Sequence, residues 1–529
     1  MGVIYKIADS PQEFEQIHKL NYKTFVEEIP QHEQTESKLR VDLFHEENTY
    51  LICLDDEKLV GMVAVRDNRP FSLDHKIQDL DYHLPEQVNK IYEIRLLAVE
   101  EEYRTGRAFL GLVRFLYRYL HLNGYDMAII SGTTRQLSIY KQMGFRPFYK
   151  LVGTREAAFQ PMYITPAIFQ QSPIASLIVK KYTFLPGPVE IATNVQKAFA
   201  SVPISHRSNQ FTVTMTNVKK CLLQMTKAEQ VQILLGTGTL ANDAIAMQLQ
   251  ALKGKGLVLT NGEFGNRLIQ HVKRASLSFH TYKKEFGEPF SYEEVEQILA
   301  NKKYEWLWFV HHETSTGMLN NLLNLKEICK HYNTRMCVDC ISSIGVMPLN
   351  LEGVYFASGV SGKAIGAYTG LSFVFYNHSI HPNDNLPRYL DLGLYEGNES
   401  IPYSHSWNLI SALYEALKKF ETNHVFEKVA TMHTFLEKEL SNMGFQIVTP
   451  KEHAAPVIVT IKLDKQISSQ QLGNMLALQG YVVHYESAYL QERNWIQIAC
   501  MNHYKEREIR RMLQYFKRCL EELESAVTF

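Results

Sequence analysis

The second half of the chain alternates short apolar runs with stretches of helical periodicity. "VQILLGTGTLANDAIAMQLQAL" has the order strand, glycine turn and helix, and "GLVLTNGEFGNRLIQHVKRA" repeats that order. Apolar runs bounded by glycine turns predict buried strands, whereas apolar residues three and four positions apart predict helices. Such alternation is typical of a mostly parallel sheet with helices on both faces, so we expect an α/β fold.

The first 165 residues show the same alternation on a smaller scale. "LICLDDEKLVGMVAV" predicts a β-hairpin, because two β-rich runs flank a polar turn. The apolar residues of 109–122 recur at i, i+3, i+4 and i+7, which predicts an amphipathic helix. After Pro402 a long helix is predicted to lead into a smaller α+β tail. The predicted organisation is a first domain over 1–165, a connector over 166–180, a large α/β domain over 181–400 and a C-terminal region over 401–529.

Composition and charge exclude several classes of function. Lys and Arg number 55 against 56 Asp and Glu, so neither a nucleic-acid footprint nor a polybasic membrane surface is indicated. No apolar run reaches the ~18–20 residues of a membrane span, and the N-terminus lacks the apolar segment of a secretory signal. Seven scattered cysteines favour reduced thiols and a cytoplasmic location. We interpret Cys337 and Cys340 of "CVDC" as small apolar residues of a buried strand, and we expect no metal site.

Polar residues follow the predicted strands of the large domain, where ligands of such sheets bind. "GTGT", residues 236–239, opens a helix with free N–H groups and hydroxyls that suit a phosphate. Phe264 in "NGEFG" offers a ring for stacking. Asp339 is a carboxylate at the end of an apolar strand, which is costly unless it meets a cation or donors. Lys363 lies in a loop of small residues that would let a ligand approach closely.

Pyridoxal 5′-phosphate is one ligand that uses all of these features. Its aldehyde needs a lysine for a Schiff base, and its ring nitrogen needs a carboxylate. Its phosphate needs a helix start and its ring face an aromatic side chain. The histidines, carboxylate and hydroxyls of "HHETSTG", residues 311–317, would then form a wall of the cofactor site.

From about Tyr182 to its end, the chain resembles the class V aminotransferases of fold type I, in particular the alanine–glyoxylate, serine–glyoxylate and 2-aminoethylphosphonate–pyruvate group. The resemblance is carried by "LPGPVEI", "SHRSNQF", "GTGTLANDA", "NGEFGNR", "HHETSTG", "VDCISSIG" and "SGVSGKAIGAYTG". It implies that Lys363 forms the Schiff base and that Asp339 is the partner of the pyridinium nitrogen. The other cofactor-binding residues that it implies are Thr237, Gly238, Thr239, Phe264, Glu313, Ser315, Thr316, Ser342 and Ser361. Ser404 takes a place where the family offers a hydroxyl to the neighbouring subunit's phosphate, which implies a homodimer.

The sequence departs from this family at two positions. Gly362 precedes the lysine, where relatives often have Gln or Asn for the phosphate. Gln497 in "NWIQIACM" takes the place of an Arg that grips the substrate carboxylate in relatives. We therefore treat Gln497 and Arg207 as candidate substrate-binding residues, and Arg493 as a nearby alternative. A neutral amide holds a carboxylate less well than a guanidinium does.

The first domain resembles the GNAT acyltransferases, and more narrowly their autoinducer-synthase-like, N-acyl amino acid synthase branch. "YRTGRA" lies between a strand and a helix, where that fold binds the pyrophosphate of coenzyme A, and this implies cofactor contacts from Arg104 and Gly106. Tyr103 stands where the pattern has a basic residue. "LSIYKQMGF" resembles the closing GNAT segment, which implies Tyr140 as the general acid on the departing thiolate. Members of that branch take acyl-CoA or an acyl-carrier protein.

Three hypotheses for function follow. The first is a bifunctional enzyme that transaminates between a small amine or amino acid and a 2-oxo acid, and that acylates an amine in its N-terminal domain. The second is an aminotransferase whose GNAT-like domain is a non-catalytic docking module. The third is a pyridoxal-phosphate lyase, which the missing Arg at Gln497 permits. The sequence leaves the amino donor, the acceptor and the acyl chain open.

Overall fold

In the computed structural model of the chain, the described residues are 3–29, 32–104, 107–153, 158–421, 424–501 and 504–527. Two units are distinguished, Met1–Tyr182 with Asn474–Tyr481 and Thr183–Gly473 with Val482–Phe529. Among the described residues, no helix is both long enough and apolar enough to cross a bilayer.

The first unit contains a seven-stranded sheet. Its strands are β1 (Ile4–Ile7), β2 (Thr49–Asp55), β3 (Lys58–Arg66), β4 (Ile91–Val99), β5 (Met127–Thr133), β6 (Arg146–Pro147) and β7 (Phe159–Ile164). They lie in the order β1-β2-β3-β4-β5-β7-β6. Neighbouring strands are antiparallel except β4 and β5, which are parallel. The predicted hairpin is confirmed as β2 and β3.

The helices of the first unit are α1 (Pro11–Tyr22), α2 (Leu80–His83), α3 (Arg107–Leu122), α4 (Leu137–Gln142), α5 (Pro166–Gln170) and α6 (Ala175–Ile178). A capping box of Ser10 and Glu13 starts α1, with Pro11 at its first turn. The amphipathic helix predicted over 109–122 is confirmed as α3, and residues such as Leu112 and Leu116 bury its apolar stripe in the core. The predicted connector contains α5 and α6.

Strands β4 and β5 pair only at their beginnings. The parallel register runs from Ile91 opposite Met127 to Ile94 opposite Ile130. On its other side β4 shifts register against β3, and Leu96 has a φ of 52°. Such a bulge bends the strand and frees backbone groups from the ladder. The second halves of β4 and β5 are therefore available to line a cleft.

A second seven-stranded sheet is the framework of the second unit. The strands from residue 182 onward are β8 (Tyr182–Phe184), β9 (Gln230–Leu235), β10 (Gly256–Thr260), β11 (Phe279–Lys283), β12 (Trp306–Val310), β13 (His312–Glu313), β14 (Met318–Leu319), β15 (Arg335–Asp339), β16 (Phe356–Val360), β17 (Leu371–Tyr376), β18 (Gln446–Ile447), β19 (Ile458–Lys462), β20 (Tyr481–Val483) and β21 (Trp495–Ala499). The order of the large sheet is β11-β10-β12-β15-β16-β17-β9. Only β17 is antiparallel to its neighbours, which confirms a mostly parallel sheet.

Helices cover both faces of this sheet. The helices from residue 183 onward are α7 (Thr193–Phe199), α8 (Asn209–Thr226), α9 (Gly238–Leu249), α10 (Glu263–Arg274), α11 (Tyr292–Asn301), α12 (Leu322–His331), α13 (Leu392–Glu396), α14 (Trp407–Leu417), α15 (His424–Asn442), α16 (Ser469–Leu478), α17 (Ala488–Gln491) and α18 (Glu506–Val527), of which α15 and α17 pack on the C-terminal strands β19 and β21. Along β12, Leu307 and Phe309 join one core, whereas Trp306 and Trp308 join the other. A strand buried on both faces has to be apolar throughout, which explains the run "WLWFV".

The C-terminal part of the chain contains a three-stranded antiparallel sheet in the order β18-β19-β21, in agreement with the predicted α+β tail. The single long helix predicted after Pro402 is wrong. Helix α14 ends at Leu417, residues 418–421 tighten into a 3₁₀ turn, and α15 begins at His424. Apolar residues keep their helical spacing through this stretch, but the backbone changes from α-helical to 3₁₀ hydrogen bonds.

Candidate active sites

The carboxyl ends of the parallel strands in the second unit bring the predicted residues together. The backbone N–H of His311, just after β12, donates to Asp339 O at the end of β15 (2.9 Å). Lys363 follows β16 by three residues, and its side chain is half-buried. Because β12, β15 and β16 are adjacent, one edge of the sheet collects these groups.

The side chain of Lys363 has specific contacts in this pocket. Its Nζ donates to Ser342 Oγ (2.7 Å) and lies 5.4 Å from the centroid of the Phe264 ring. Burial lowers the pKa of Lys363 to about 8, while Asp339 and Glu313 oppose that shift. A lysine with such a pKa is partly neutral near physiological pH, so it is a competent nucleophile and base.

The loop around Lys363 is held by backbone contacts. Ser361 Oγ donates to Tyr368 O (2.7 Å) and lies 3.1 Å from Leu371 O. The hydroxyl of Ser361 is thus used to fix the loop. At Gly362 a Cβ would collide with the side chain of Thr369 and approach its Cα within 3.0 Å. This explains the departure at Gly362, because no larger side chain fits there.

Asp339 is a buried carboxylate with two described donors. Asn242 Nδ2 donates to its Oδ2 (2.8 Å), and the backbone N–H of Ile341 donates to its Oδ1 (2.9 Å). Burial raises the pKa of Asp339, whereas these two hydrogen bonds and the charge of Lys363 act in the opposite direction. Asn242 Oδ1 is buried without a hydrogen-bond partner.

Residues 311–317 fix the geometry of the neighbouring aromatic turn. Glu313, which is completely buried, accepts hydrogen bonds from the backbone N–H groups of Phe264 (3.3 Å) and Gly265 (2.9 Å) at the start of α10. Ser315 Oγ accepts from Glu263 N (3.0 Å) and donates to the Glu313 carboxylate. The α10 start is therefore capped by a protein carboxylate, and the Phe264 ring is oriented by that cap. Thr316 lies in the same turn, where its Oγ1 donates to Glu313 O.

Two further contacts tie this wall to the lysine. The ring of His312 is completely buried, and its Nδ1 donates to Ser342 O (3.0 Å), since a carbonyl can only accept. Burial lowers the pKa of His312 to about 3, so the ring is neutral. Ser342 is thus held by His312 through its carbonyl while its hydroxyl meets Lys363.

The start of α9 is open to an anion. Thr237 is the N-cap, its side chain makes no capping hydrogen bond, and both Thr237 and Thr239 are exposed. Gly238 is buried, and a Cβ there would lie 2.6 Å from the side chain of Ile341. The helix start can therefore approach the Asp339 strand end closely, with free backbone N–H groups and two hydroxyls.

Gln497 does not offer a donor to a substrate. It is completely buried in β21, and its Nε2 donates to Thr314 O (2.6 Å) and Thr460 Oγ1 (2.9 Å). Its Oε1 accepts from His484 Nδ1 (2.9 Å) and lies 3.4 Å from the Tyr489 hydroxyl. Both amide N–H groups are therefore used within the protein.

The other two residues named for substrate or partner contacts lie elsewhere on the unit. Arg207 is exposed, and its Nη1 donates to Ile401 O (3.2 Å). Ser404 is exposed in the loop that follows, before α14. Arg207 is thus connected to the Ser404 loop, and the described contacts do not include one to Lys363.

In the first unit, Tyr140 lies on α4 against the end of β5. Its OH donates to Gln136 Oε1 (3.2 Å), and its ring lies so close to Gly132 that a Cβ there would be 3.1 Å away. Burial raises the pKa of Tyr140, so the phenol keeps its proton at neutral pH and can donate it. Arg104 Nε donates to Val99 O (2.8 Å), and its guanidinium pairs with Glu28. Gly106 lies outside the described residues.

A charged cluster borders the bulged strand β4. Arg95 makes a bidentate pair with Asp42 (2.9 and 3.1 Å), and both stand beside the ring of Phe44, which is 4.7 Å from the guanidinium. Glu93 is completely buried and accepts from the backbone N–H and the hydroxyl of Ser72. This cluster makes one side of the first unit strongly polar.

Comparison with known proteins identifies a family for each part of the chain. Residues 190–385 match the family model described as aminotransferase class-V, and residues 20–114 match that of the acetyltransferase (GNAT) domain. The chain combines a GNAT domain with a class-V aminotransferase domain. Class-V aminotransferases use pyridoxal phosphate, so the family assignment agrees with the chemistry of the strand ends.

Curated relatives and solved structures resemble the class-V part. The 2-aminoethylphosphonate–pyruvate transaminase of Pseudomonas fluorescens (strain Pf0-1) is 24% identical over 359 residues, which are 64% of this chain and 96% of that protein. An alanine–glyoxylate aminotransferase from Nostoc sp. is 25% identical with a TM-score of 0.59, covering 64% of this chain and 95% of its own. Ureidoglycine–glyoxylate aminotransferase from Bacillus subtilis, at 20% identity and a TM-score of 0.61, covers 65% of this chain and 94% of its own, and it shares the fold.

The residues of the class-V domain fit pyridoxal phosphate. Lys363 and Asp339 are both buried charges, yet each hydrogen-bonds to other groups, Lys363 to Ser342 and Asp339 to Asn242 and Ile341. Burying a lone charge is costly. A ligand with an aldehyde at one end and a basic ring nitrogen at the other would offset the cost of burying both charges. Gly262 lets Glu313 pack against the start of α10, because a Cβ there would collide with the Glu313 side chain.

Sequence reasoning missed several residues of these sites. Asn242 lies in "GTGTLANDA" beside the phosphate loop, and only its contact with Asp339 reveals it. Arg267, three positions after Phe264, stands over the same ring. In the GNAT domain, Asp42 of "RVDLF" was missed as the partner of Arg95. An Asn on a helix, or a charged residue two or three positions from an aromatic residue, is too common in sequences to be diagnostic.

Proposed function

We propose that the class-V domain is a pyridoxal-phosphate-dependent aminotransferase that moves an amino group from a small amine or amino acid to a 2-oxo acid. The observation that carries this proposal is Lys363, a half-buried lysine whose pKa is lowered to about 8, with its Nζ 2.7 Å from Ser342 Oγ and 5.4 Å from the centroid of the Phe264 ring. The names of the relatives suggest 2-aminoethylphosphonate as the first donor to test and pyruvate as the first acceptor.

The residues at the strand ends have distinct roles in this proposal. When bound, pyridoxal phosphate would supply an electron sink and a carbonyl that exchanges amino groups. Asp339 would hold the ring nitrogen protonated, and Phe264 would stack on the ring. Lys363 Nζ is the group suited to take the proton from the amine-bearing carbon of the donor and to return it, because its pKa lies close to neutral pH.

The phosphate of the cofactor would lie at the start of α9, where Thr237, Gly238 and Thr239 offer N–H groups and hydroxyls. Ser342 would orient the lysine, and residues 313–316 would keep the aromatic turn in place.

The cofactor assignment is tested by borohydride reduction of the purified protein, followed by peptide mass spectrometry. We expect the mass of reduced pyridoxal phosphate on the peptide that contains Lys363. Lys363→Ala should lose this label and turnover, while Lys330→Ala, a change on α12, should keep both. Labelling of another lysine in the wild type would overturn the assignment.

The reaction class is tested by product analysis. A transaminase forms alanine from pyruvate in amounts equal to the donor consumed. A lyase, the alternative, releases its product without consuming the 2-oxo acid. Donor loss in the absence of any 2-oxo acid would favour the lyase.

For the GNAT domain we propose transfer of an acyl group from acyl-CoA or an acyl-carrier protein to an amine, with Tyr140 protonating the departing thiolate. The support is the separation of β4 and β5 beyond Ile94 and the raised pKa of Tyr140. The alternative is a non-catalytic docking module. Calorimetry on the full chain with coenzyme A and with carrier protein, together with thiol release by wild type and Tyr140→Phe, separates the two. Catalysis predicts roughly a 10²-fold loss in Tyr140→Phe, whereas binding without thiol release in the wild type favours docking.

We further propose a cytoplasmic homodimer in which Ser404 contacts the cofactor phosphate of the neighbouring subunit. Its exposed position before α14 is compatible with this role. Mixing Lys363→Ala with Ser404→Ala subunits tests it, because one site of the mixed dimer would then contain both intact residues. Recovery of activity supports a shared site, and no recovery after verified subunit exchange contradicts it.

A further inference from the structure

The residues predicted from the sequence to bind an acidic group of the amino donor are all engaged in contacts within the protein. Gln497 occupies the position expected for such a residue, but its two N–H groups donate to Thr314 O and Thr460 Oγ1. A completely buried amide with both donors satisfied cannot turn to a substrate without leaving two acceptors unpaired. Gln497 therefore holds the site together and does not bind the donor.

The arginines at 493 and 207 are engaged as well. The guanidinium of Arg493 stacks 3.9 Å from the centroid of Phe286, and its Nη1 donates to Tyr489 O (3.1 Å). Arg207 donates to Ile401 O. Stacking and a backbone hydrogen bond fix the plane of a guanidinium, so Arg493 is not free to replace the missing group.

Arg267 is different. It lies on the second turn of α10, and its guanidinium carbon is 4.8 Å from the centroid of the Phe264 ring. Lys363 Nζ lies 5.4 Å from the same centroid. Its carboxylate partner is Glu263, one turn earlier on the same helix (3.2 Å), and the Arg267 side chain is half-exposed. An exposed i,i+4 ion pair contributes little stability, so it exchanges readily for another anion.

Charge coupling connects Arg267 with both sides of the pocket. Burial lowers the pKa of Lys363, and the positive charge of Arg267 lowers it further. Burial raises the pKa of Tyr489, and Arg267 opposes that rise. Tyr489 in turn lies 3.4 Å from Gln497 Oε1. The positive charge of Arg267 therefore acts on Lys363 and on Tyr489, which contacts Gln497.

We propose that Arg267 binds the anionic group of the amino donor, a carboxylate or a phosphonate. The inference rests on the proposed transamination at Lys363. A guanidinium offers a planar fork of donors that matches either anion bidentately, and it keeps its charge at all physiological pH values. The donor's amine then points to Lys363 across the Phe264 ring, and Glu263 gives up its pair with Arg267.

Kinetics of variants test the role of Arg267. The variants are Arg267→Gln, Arg267→Lys and, as a matched control on the last turn of the same helix, Arg274→Gln. The donors are 2-aminoethylphosphonate, alanine and the uncharged propylamine. We expect KM for the two anionic donors to rise at least tenfold in Arg267→Gln, with partial recovery in Arg267→Lys. KM for propylamine and all constants of Arg274→Gln should stay unchanged. Equal effects on charged and uncharged donors, or no effect, would overturn the proposal.

A binding measurement decides the matter even if none of these donors reacts. Phenylglyoxal labels accessible guanidinium groups, and mass spectrometry quantifies the label on each arginine of the wild type. Methylphosphonate and acetate should each protect Arg267 and leave Arg274 labelled, and the anion that protects at the lower concentration indicates the substrate class. If neither anion protects Arg267 although the cofactor is attached to Lys363, the proposal for Arg267 is refuted and the proposed function is not affected. Absence of the cofactor from Lys363 would refute the proposed function itself.

Discussion

Replacing Asn242 by leucine should shift the acid limb of the pH–activity profile. Asp339 has two described donors, Asn242 Nδ2 at 2.8 Å and Ile341 N at 2.9 Å. Asn242→Leu keeps the side chain's size and removes the first donor. Burial raises the pKa of Asp339, and the Asn242 bond opposes that rise, so its loss should raise the pKa further.

The size of the shift follows from the strength of the bond. A hydrogen bond to a charged group contributes about 1.5–3 kcal/mol, and one pKa unit corresponds to about 1.36 kcal/mol. The pKa of Asp339 should therefore rise further in Asn242→Leu. Since the proposed chemistry requires the ionised carboxylate, activity should begin to fall at a higher pH, and a bond of this strength corresponds to a change of at least about tenfold in the protonation equilibrium.

The assay is kcat/KM for transamination from acid to neutral pH. The control is Asn377→Leu at the end of β17, which removes three side-chain hydrogen bonds: Asn377 Nδ2 donates to Leu351 O and Val354 O, and its Oδ1 accepts from Glu229 N. Asn377→Leu should lower the free energy of unfolding without moving the pH profile. The reasoning is refuted if Asn242→Leu folds, retains its cofactor and shows the wild-type acid limb.

Three other predictions concern the same domain. Gln497→Leu should lower the free energy of unfolding by about 2–4 kcal/mol, because Thr314 O, Thr460 Oγ1 and His484 Nδ1 each lose their hydrogen bond to Gln497. Urea unfolding measures this, and a change below about 1 kcal/mol would contradict it. Gly362→Ala should reduce cofactor retention, measured by visible absorption, since its Cβ would collide with Thr369; full retention would show that the loop can shift at little cost. The rate at which cofactor-free protein captures pyridoxal phosphate should rise with pH through about 8, the pKa of Lys363, as the amine loses its proton; a midpoint near 10.5, the usual lysine value, would mean that burial does not act on it.

The strand–helix order of the second unit could be predicted because its sheet is buried on both faces. A strand such as β12 must then be apolar at every position, and Trp306 and Trp308 on one face alternate with Leu307 and Phe309 on the other. Strand ends can be read from the sequence in the same way, which is why the sequence alone predicts Lys363, Asp339 and Phe264 as site residues. Their types and positions carry the signal, and no contact has to be known.

The contacts that hold those groups could not be predicted from the sequence. The carboxylate of Glu313 caps a helix 50 residues earlier in the chain, and Asn242 reaches Asp339 across 97 positions. Neither pairing leaves a periodic pattern. The long helix after Pro402 was predicted wrongly for a related reason, since side-chain periodicity continues through residues 418–421 although the backbone tightens there. Gln497 was interpreted as facing a substrate because its neighbours in space were unknown.

The buried charges of the class-V domain are arranged to remain separate. Glu313 is satisfied by the α10 start, Asp339 by Asn242 and Ile341, and Lys363 by Ser342. Had Lys363 and Asp339 paired directly, their attraction would have lowered the cost of burial, and the lysine would have kept a high pKa. Their separation instead leaves the lysine with a pKa near 8 and the carboxylate with a raised one. That arrangement costs stability in the protein alone, and a ligand that meets both groups at once recovers it, because whatever binds only the folded state stabilises that state.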